Sequence, residues 1–249
     1  MRNVAILLFD QIEVLDFAGP YEVFNVTAEL NPPTTTTSTT GGGTGPLFNV
    51  YTVAESSSPI RTRGQLSINP NYNIYNMPQP NIIIIPGGSG CRAILQKPHV
   101  LDWLRQQHSS ENSSVEYILS VCTGSLILAK ANLLQNVKEV TTHHDNLNEL
   151  QQILNESNNT TTKVNDTKRY IIDDDVDNST NQQGYRCKIL TSGGISAGID
   201  MCLYIVYELC GTEVVVKTLN EMEYPWKLND ITLSWKETSQ ALLDEEKKK

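Results

Sequence analysis

Short apolar runs separated by longer amphipathic stretches set the rhythm of this chain. Val4 to Phe9 is one such run, and Ile82 to Ile85, after Asn81, is another. Val115 to Val121 is apolar and rich in β-branched residues. Runs of this length, apolar on both faces, predict buried strands of a parallel sheet. Leu47 to Ala54 alternates and predicts a further strand, and Ile60 to Ile68 a short hairpin around Gly64. After Lys138 the pattern predicts a strand ending Val140-Thr141-Thr142-His143-His144, and Arg169–Ile172 with Tyr185–Leu190 read as hairpin arms. Helical periodicity fills the intervals. One helix runs from Pro20, placed in its first turn, to Leu30. A second runs from Leu95 to Gln107, interrupted at Pro98, and a third begins at Thr123. Asn146 to Leu154 follows a cap at Asp145, Ala197 to Leu209 ends near Gly211, and Glu213 to Glu223 stops before Pro225. Strands alternating with helices predict an α/β fold with a mainly parallel central sheet.

Three polar segments interrupt the pattern. Residues 31–46 and 155–168 are rich in Asn and Thr, and 173–183 is an acidic loop inside the last hairpin. Their composition predicts surface insertions that bury nothing and can be removed. The reading is one domain over residues 1–226 carrying these insertions, with a partly ordered tail over 227–249.

Composition narrows the function classes. The 249 residues hold 19 Lys and Arg against 28 Asp and Glu, a net charge of −9, which argues against a nucleic-acid-binding surface. No apolar segment is long enough to span a bilayer, and the first apolar run is followed at once by Asp10, Glu13 and Asp16, unlike an export signal. Five cysteines without regular spacing then imply reduced thiols in a cytoplasmic protein.

The chemistry gathers where strands end. Cys122 stands at the junction of an apolar strand and the Thr123-Gly124-Ser125 helix start. A side chain on such an elbow points out of the sheet beside unpaired helix N–H groups, which favour a thiolate. In the loop after the first strand, Asp16 is a candidate proton donor facing the thiol, with Asp10 and Glu13 as rivals. Gly87 and Gly88 allow close backbone approach, so N–H groups of Gly88 and Thr123 form a candidate oxyanion hole. His143 or His144 is placed to orient or deprotonate Cys122. Cys202 and Cys210 read as core, Cys187 as a hairpin residue, and Cys91 as the one other thiol near the pocket. No spacing of ligands marks a metal site.

Taken together, Leu15-Asp16-Phe17-Ala18-Gly19-Pro20, Ile85-Pro86-Gly87-Gly88-Ser89-Gly90, Ser120-Val121-Cys122-Thr123-Gly124-Ser125, Thr141-Thr142-His143 and Gly193-Gly194-Ile195-Ser196-Ala197-Gly198 resemble the ThiJ/PfpI superfamily, and within it the isonitrile hydratases. The resemblance runs from Asn3 to about Trp226, outside the polar insertions. It implies a three-layer α/β sandwich of the flavodoxin-like, class I glutamine amidotransferase-like kind, with the cysteine on a nucleophile elbow. It also implies a cofactor-free lyase, a homodimer acting on a small molecule, that adds water to an isocyanide. Cys122 would be the thiolate nucleophile, with Thr123 beside it and Asp16 as general acid. Amidase-type members carry histidine after the cysteine, where this chain has Thr123. The hydratase pattern has tryptophan after Thr-Thr-His, where this chain has His144. Regulator-type members add a helix-turn-helix module that the short tail has no room for. The alternatives are a cysteine redox sensor or ligand-binding domain without enzymatic activity, and a glyoxalase-like enzyme.

Overall fold

Four consecutive isoleucines can be buried on both faces only inside a sheet covered by helices on each side, and Ile82 to Ile85 lie in such a strand, each 0% exposed. The computed structural model describes residues 1–32, 47–109, 113–172 and 187–228. In chain order the elements are β1 (Arg2–Leu8), α1 (Val14–Leu30), β2 (Phe48–Ala54), β3 (Ile60–Arg61), β4 (Ser67–Ile68), β5 (Tyr72–Asn73), β6 (Ile82–Ile85), α2 (Cys91–Ile94), α3 (Pro98–Ser109), β7 (Tyr117–Val121), α4 (Gly124–Lys130), β8 (Glu139–Val140), α5 (Leu147–Glu156), β9 (Lys163–Val164), β10 (Tyr170–Ile172), β11 (Lys188–Ser192), α6 (Ala197–Cys210) and α7 (Thr212–Met222).

The central sheet has seven strands in the order β10-β11-β7-β6-β1-β2-β5. Every pairing is parallel except β10 with β11. Helix α1 packs against α6 and α7, and α4 packs against α5 and α2, so helices cover both faces. The predicted mainly parallel α/β architecture is the observed one. It sets the carboxyl ends of β1, β6 and β7 side by side, the place where sheets of this kind collect ligand-binding groups. Among the described residues no helix is long and apolar enough to cross a membrane.

Local expectations fail in three places. Helix α1 starts at Val14, not Pro20, and Pro20 is its seventh residue. Proline lacks the N–H that would bond the Asp16 carbonyl. The helix tolerates that loss because Phe17, Val23 and Phe24 bury its inner face. The predicted strand through His144 is only Glu139–Val140, and it pairs with β9 in a separate two-stranded sheet, outside the central one.

Residues 155–168 are ordered and partly buried, contrary to their composition. Asn159 donates to Leu134 O at 2.8 Å, Thr162 to Val137 O at 2.7 Å, and Asn165 to Glu139 Oε1 at 3.0 Å. These polar side chains satisfy two carbonyls and a carboxylate of the preceding segment, so burying them is tolerated. The predicted acidic loop 173–183, residues 33–46 of the first insertion and residues 229–249 of the tail lie outside the described residues.

Candidate functional site

Cys122 sits at the end of β7 with φ +57°, a left-handed conformation uncommon for a residue with a side chain. The surroundings hold that strained turn. The Cys122 N–H donates to Ser192 O at 3.1 Å and Gly193 O at 3.2 Å, and its carbonyl accepts from Thr142 Oγ1 at 2.9 Å. The turn projects the sulfur away from the sheet into a cavity of about 170 Å³, whose lining includes Gly88, Thr123, His143 and Ile195. Cys122 is nonetheless only 6% exposed.

Of the three acids in the first loop, Asp16 touches the Cys122 side chain, while Glu13 lines the same cavity and Asp10 does not. Asp10 is exposed and accepts from Arg61 N at 2.8 Å, and Glu13 pairs with Arg63 at 2.8 Å. Asp16 is 0% exposed, in the first turn of α1. Its Oδ2 accepts from Gly87 N at 3.1 Å. Its Oδ1 is buried without a hydrogen-bond partner, and the Cys122 thiol lies against the carboxyl group. Burial, partly offset by Cys122 and the Gly87 N–H, raises the Asp16 carboxyl from its usual 3.8 to about 7. A helix N-terminus favours a carboxylate by roughly 1 kcal/mol. A rise from 3.8 to about 7 corresponds to about 4 kcal/mol the other way, so desolvation wins.

The thiol is pushed in the same direction. Burial first, then the charge of Asp16, raise Cys122 above the ordinary cysteine range, against the opposing backbone N–H and hydroxyl of Thr123. Both effects oppose the expected resting thiolate. The helix start is present, but a buried sulfur beside a carboxylate keeps its proton.

The glycine turn also works differently from the expected oxyanion hole. The Gly88 N–H is engaged by Thr123 Oγ1 at 3.0 Å, and that hydroxyl donates back to Gly88 O at 3.2 Å. Gly88 has φ +124°, which suits glycine alone. Gly87 and Gly88 therefore hold Asp16 and Thr123 in position, and the Thr123 N–H faces the sulfur.

His143 reaches the site, whereas His144 is exposed and lines a neighbouring cavity. His143 Nδ1 accepts from Asp145 N at 3.3 Å, so His143, not Asp145, caps the turn that leads into α5. Burial, with His144 adding to it, lowers the His143 pKa and keeps the ring neutral, with its hydrogen on Nε2. The ring nitrogen that could act as a base is thus already occupied.

Gly194 is the member of the site that sequence reasoning passed over. A methyl group there would lie 2.7 Å from His143 Cδ2 and 2.9 Å from Cys122 Sγ. Its signals were a glycine pair directly after a strand and its place in one of the stretches that carry the family resemblance, neither of which gave it a role. Cys91 is buried behind Thr123, and burial raises its thiol. Three adjacent residues, His143, His144 and Asp145, bring possible metal-ligand atoms within 4.8 Å of one another, on a largely exposed turn.

Known proteins share this arrangement of elements. Over 225 residues the chain is 29% identical to isonitrile hydratase of Pseudomonas putida, covering 89% of this chain and 78% of that protein. A ThiJ/PfpI family protein from Pseudomonas syringae superposes with a TM-score of 0.67 at 22% identity, over 98% of this chain and 86% of that one. DJ-1beta of Drosophila melanogaster gives 0.66 at 17% identity, over 90% and 99%. These two structural matches establish the fold. The DJ-1/PfpI family model matches residues 2–208, and the chain belongs to that family.

Proposed function

We propose that this protein is an isonitrile hydratase-like lyase, converting R–N≡C and water into the formamide R–NH–CHO, with Cys122 as nucleophile and Asp16 as its proton partner. The observation that carries this reading is the Asp16–Cys122 pair: a fully buried carboxyl, poised at about 7, against a thiol at a strand-to-helix elbow. Catalytic acids and bases work best when their pKa lies near the working pH. The 29% identity to an isonitrile hydratase supports the same chemistry. Thr123 in the position after the cysteine counts against a Cys-His amidase pair.

In this reading Asp16 is first a base and then an acid. As the Cys122 sulfur bonds to the terminal carbon, its proton passes to Asp16 and from there to that carbon, giving the thioimidate R–N=CH–S–Cys122. The Thr123 N–H stabilises the sulfur while it carries charge. Water then adds to the same carbon. Asp16 takes a proton from the water, and nitrogen gains one. The carbon–sulfur bond breaks, the oxygen becomes the formyl carbonyl, and the remaining proton returns through Asp16 to the sulfur. No electron leaves or enters the system.

The burial of Cys122 works against a redox-sensor reading, because peroxide reacts with exposed, low-pKa thiols. The test is formation of N-cyclohexylformamide from cyclohexyl isocyanide, with wild type turning over and Cys122→Ala inactive. Equal turnover by the variant excludes the mechanism. An inactive wild type whose Cys122 is oxidised selectively by mild peroxide supports the sensor instead.

A further inference from the structure

A planar trans peptide points its carbonyl and its N–H in opposite directions, so holding one aims the other. The peptide between Cys122 and Thr123 is trans and is held at its carbonyl. Thr142 Oγ1 donates to Cys122 O at 2.9 Å, and Ser125 Oγ donates to the same atom at 3.3 Å. Both residues are buried, at 3% and 0% exposure. From the other edge of that peptide, the Thr123 N–H bonds toward the Cys122 sulfur.

The Thr142 hydroxyl is itself fixed by distant parts of the chain. Thr141 N donates to Thr191 Oγ1 at 2.8 Å, in β11, and Thr141 Oγ1 donates to Asn165 O at 2.8 Å. Position 142 is thereby pinned between the central sheet and the Asn/Thr-rich segment. Cys122 needs such support, because a left-handed backbone persists only where its surroundings over-determine it. A carbonyl that accepts hydrogen bonds also polarises its peptide and makes the N–H a stronger donor. Direction and polarity therefore both favour negative charge on the sulfur.

We propose that Thr142 is a positioning residue, with Ser125 as its weaker partner: their hydroxyls hold the Cys122 carbonyl so that the Thr123 N–H is aimed at the sulfur while it carries charge. They act through the peptide, not on the substrate. For turnover the inference rests on the hydratase reading. Chemical capture of Cys122 tests it without an isocyanide.

The experiment compares Thr142→Val, which keeps the shape and loses the donor, with Thr142→Ser, which keeps the donor. With cyclohexyl isocyanide, Thr142→Val should lower kcat by about tenfold to a hundredfold, less than deletion of an oxyanion donor, because the N–H is misdirected and not removed. Its KM should stay within about threefold, since the uncharged substrate gains nothing from a donor that answers charge on sulfur. Thr142→Ser should keep kcat within about threefold of wild type, and Ser125→Ala, losing the longer bond, should lower it about threefold. Labelling of Cys122 by iodoacetamide at about pH 9, read by peptide mass, should slow in the same order. The proposal is overturned if Thr142→Val labels at the wild-type rate, if Thr142→Ser is as slow as Thr142→Val, or if wild-type Cys122 is not labelled at all. Should Thr142→Val fail to fold, Ser125→Ala carries the test, and unchanged labelling in that variant overturns it. If wild type turns over no isocyanide, the hydratase reading fails, and the labelling rates alone decide the role of Thr142.

Discussion

Asp16 and Asp200 hold equivalent positions and live in opposite circumstances. Each lies in the first turn of a helix, α1 and α6, and those helices pack against each other. Each is buried, at 0% and 8% exposure. Asp200 is fully answered: Arg169 reaches its Oδ2 through two nitrogens, and Tyr224 donates to its Oδ1 at 3.1 Å. Asp16 has one backbone N–H and a thiol, and among the described residues no ion-pair partner. The pairing at Asp200 ties β10 to α6 and to the segment after α7. The lack of pairing at Asp16 leaves a carboxyl that changes protonation near neutral pH. The same residue type, in the first turn of a helix, is tied into an ion pair in one case and, in the proposed mechanism, is left to carry protons in the other.

The largest test of this contrast is catalytic. Asp16→Asn should lower kcat/KM for cyclohexyl isocyanide by about 10³-fold or more, equivalent to roughly 4 kcal/mol. In wild type, kcat/KM should fall about tenfold per pH unit below about 7, because a protonated Asp16 cannot receive the thiol proton. A flat profile between pH 5 and 8 would remove Asp16 from the mechanism.

The next test is stability. Between about pH 4 and 7 the folded chain keeps a proton on Asp16 that the unfolded chain has released, so stability falls as pH rises through that window. Asp16→Asn removes the titration. It should match wild type at pH 4 and exceed it at pH 8 by up to about 4 kcal/mol in denaturant unfolding. A variant that loses both activity and stability at pH 8 would contradict the burial penalty.

Asp200→Ala should do the reverse. It strands a mostly buried Arg169, so we expect a loss of about 3 kcal/mol and a Tm lower by roughly 6–12 °C. The smallest effect belongs to Tyr224→Phe, which removes a single hydrogen bond to Asp200. A loss of about 1 kcal/mol, with isocyanide hydration intact, is the expected outcome by thermal unfolding and turnover. A catalytic defect in that variant would mean the two carboxylates are coupled through α1 and α6.

Legibility followed the range of the interactions involved. Strands β6 and β7 and helix α6 were readable because their burial is written as continuous apolar sequence. The elbow at Cys122 was readable because a strand, a cysteine and a helix start stand next to one another. Helix α1 was misplaced because a local proline rule competes with the packing of Phe17 and Phe24, which involves partners far along the chain. The segment 155–168 was misread because Asn159, Thr162 and Asn165 are satisfied by a different segment, and composition does not report partners. Gly194 went unassigned because its importance is its distance from a sulfur 72 positions earlier.

By itself the sequence determined the alternation of strand and helix, the family pattern and the presence of a cysteine at a turn, since each of these depends on neighbours in the chain. It placed three acids in one loop without distinguishing them. Only the tertiary structure decided which acid faces the sulfur, that both hold their protons more tightly than usual, and that a second cavity opens beside them. Those properties come from how much water and counter-charge remain around a group once distant segments have closed over it.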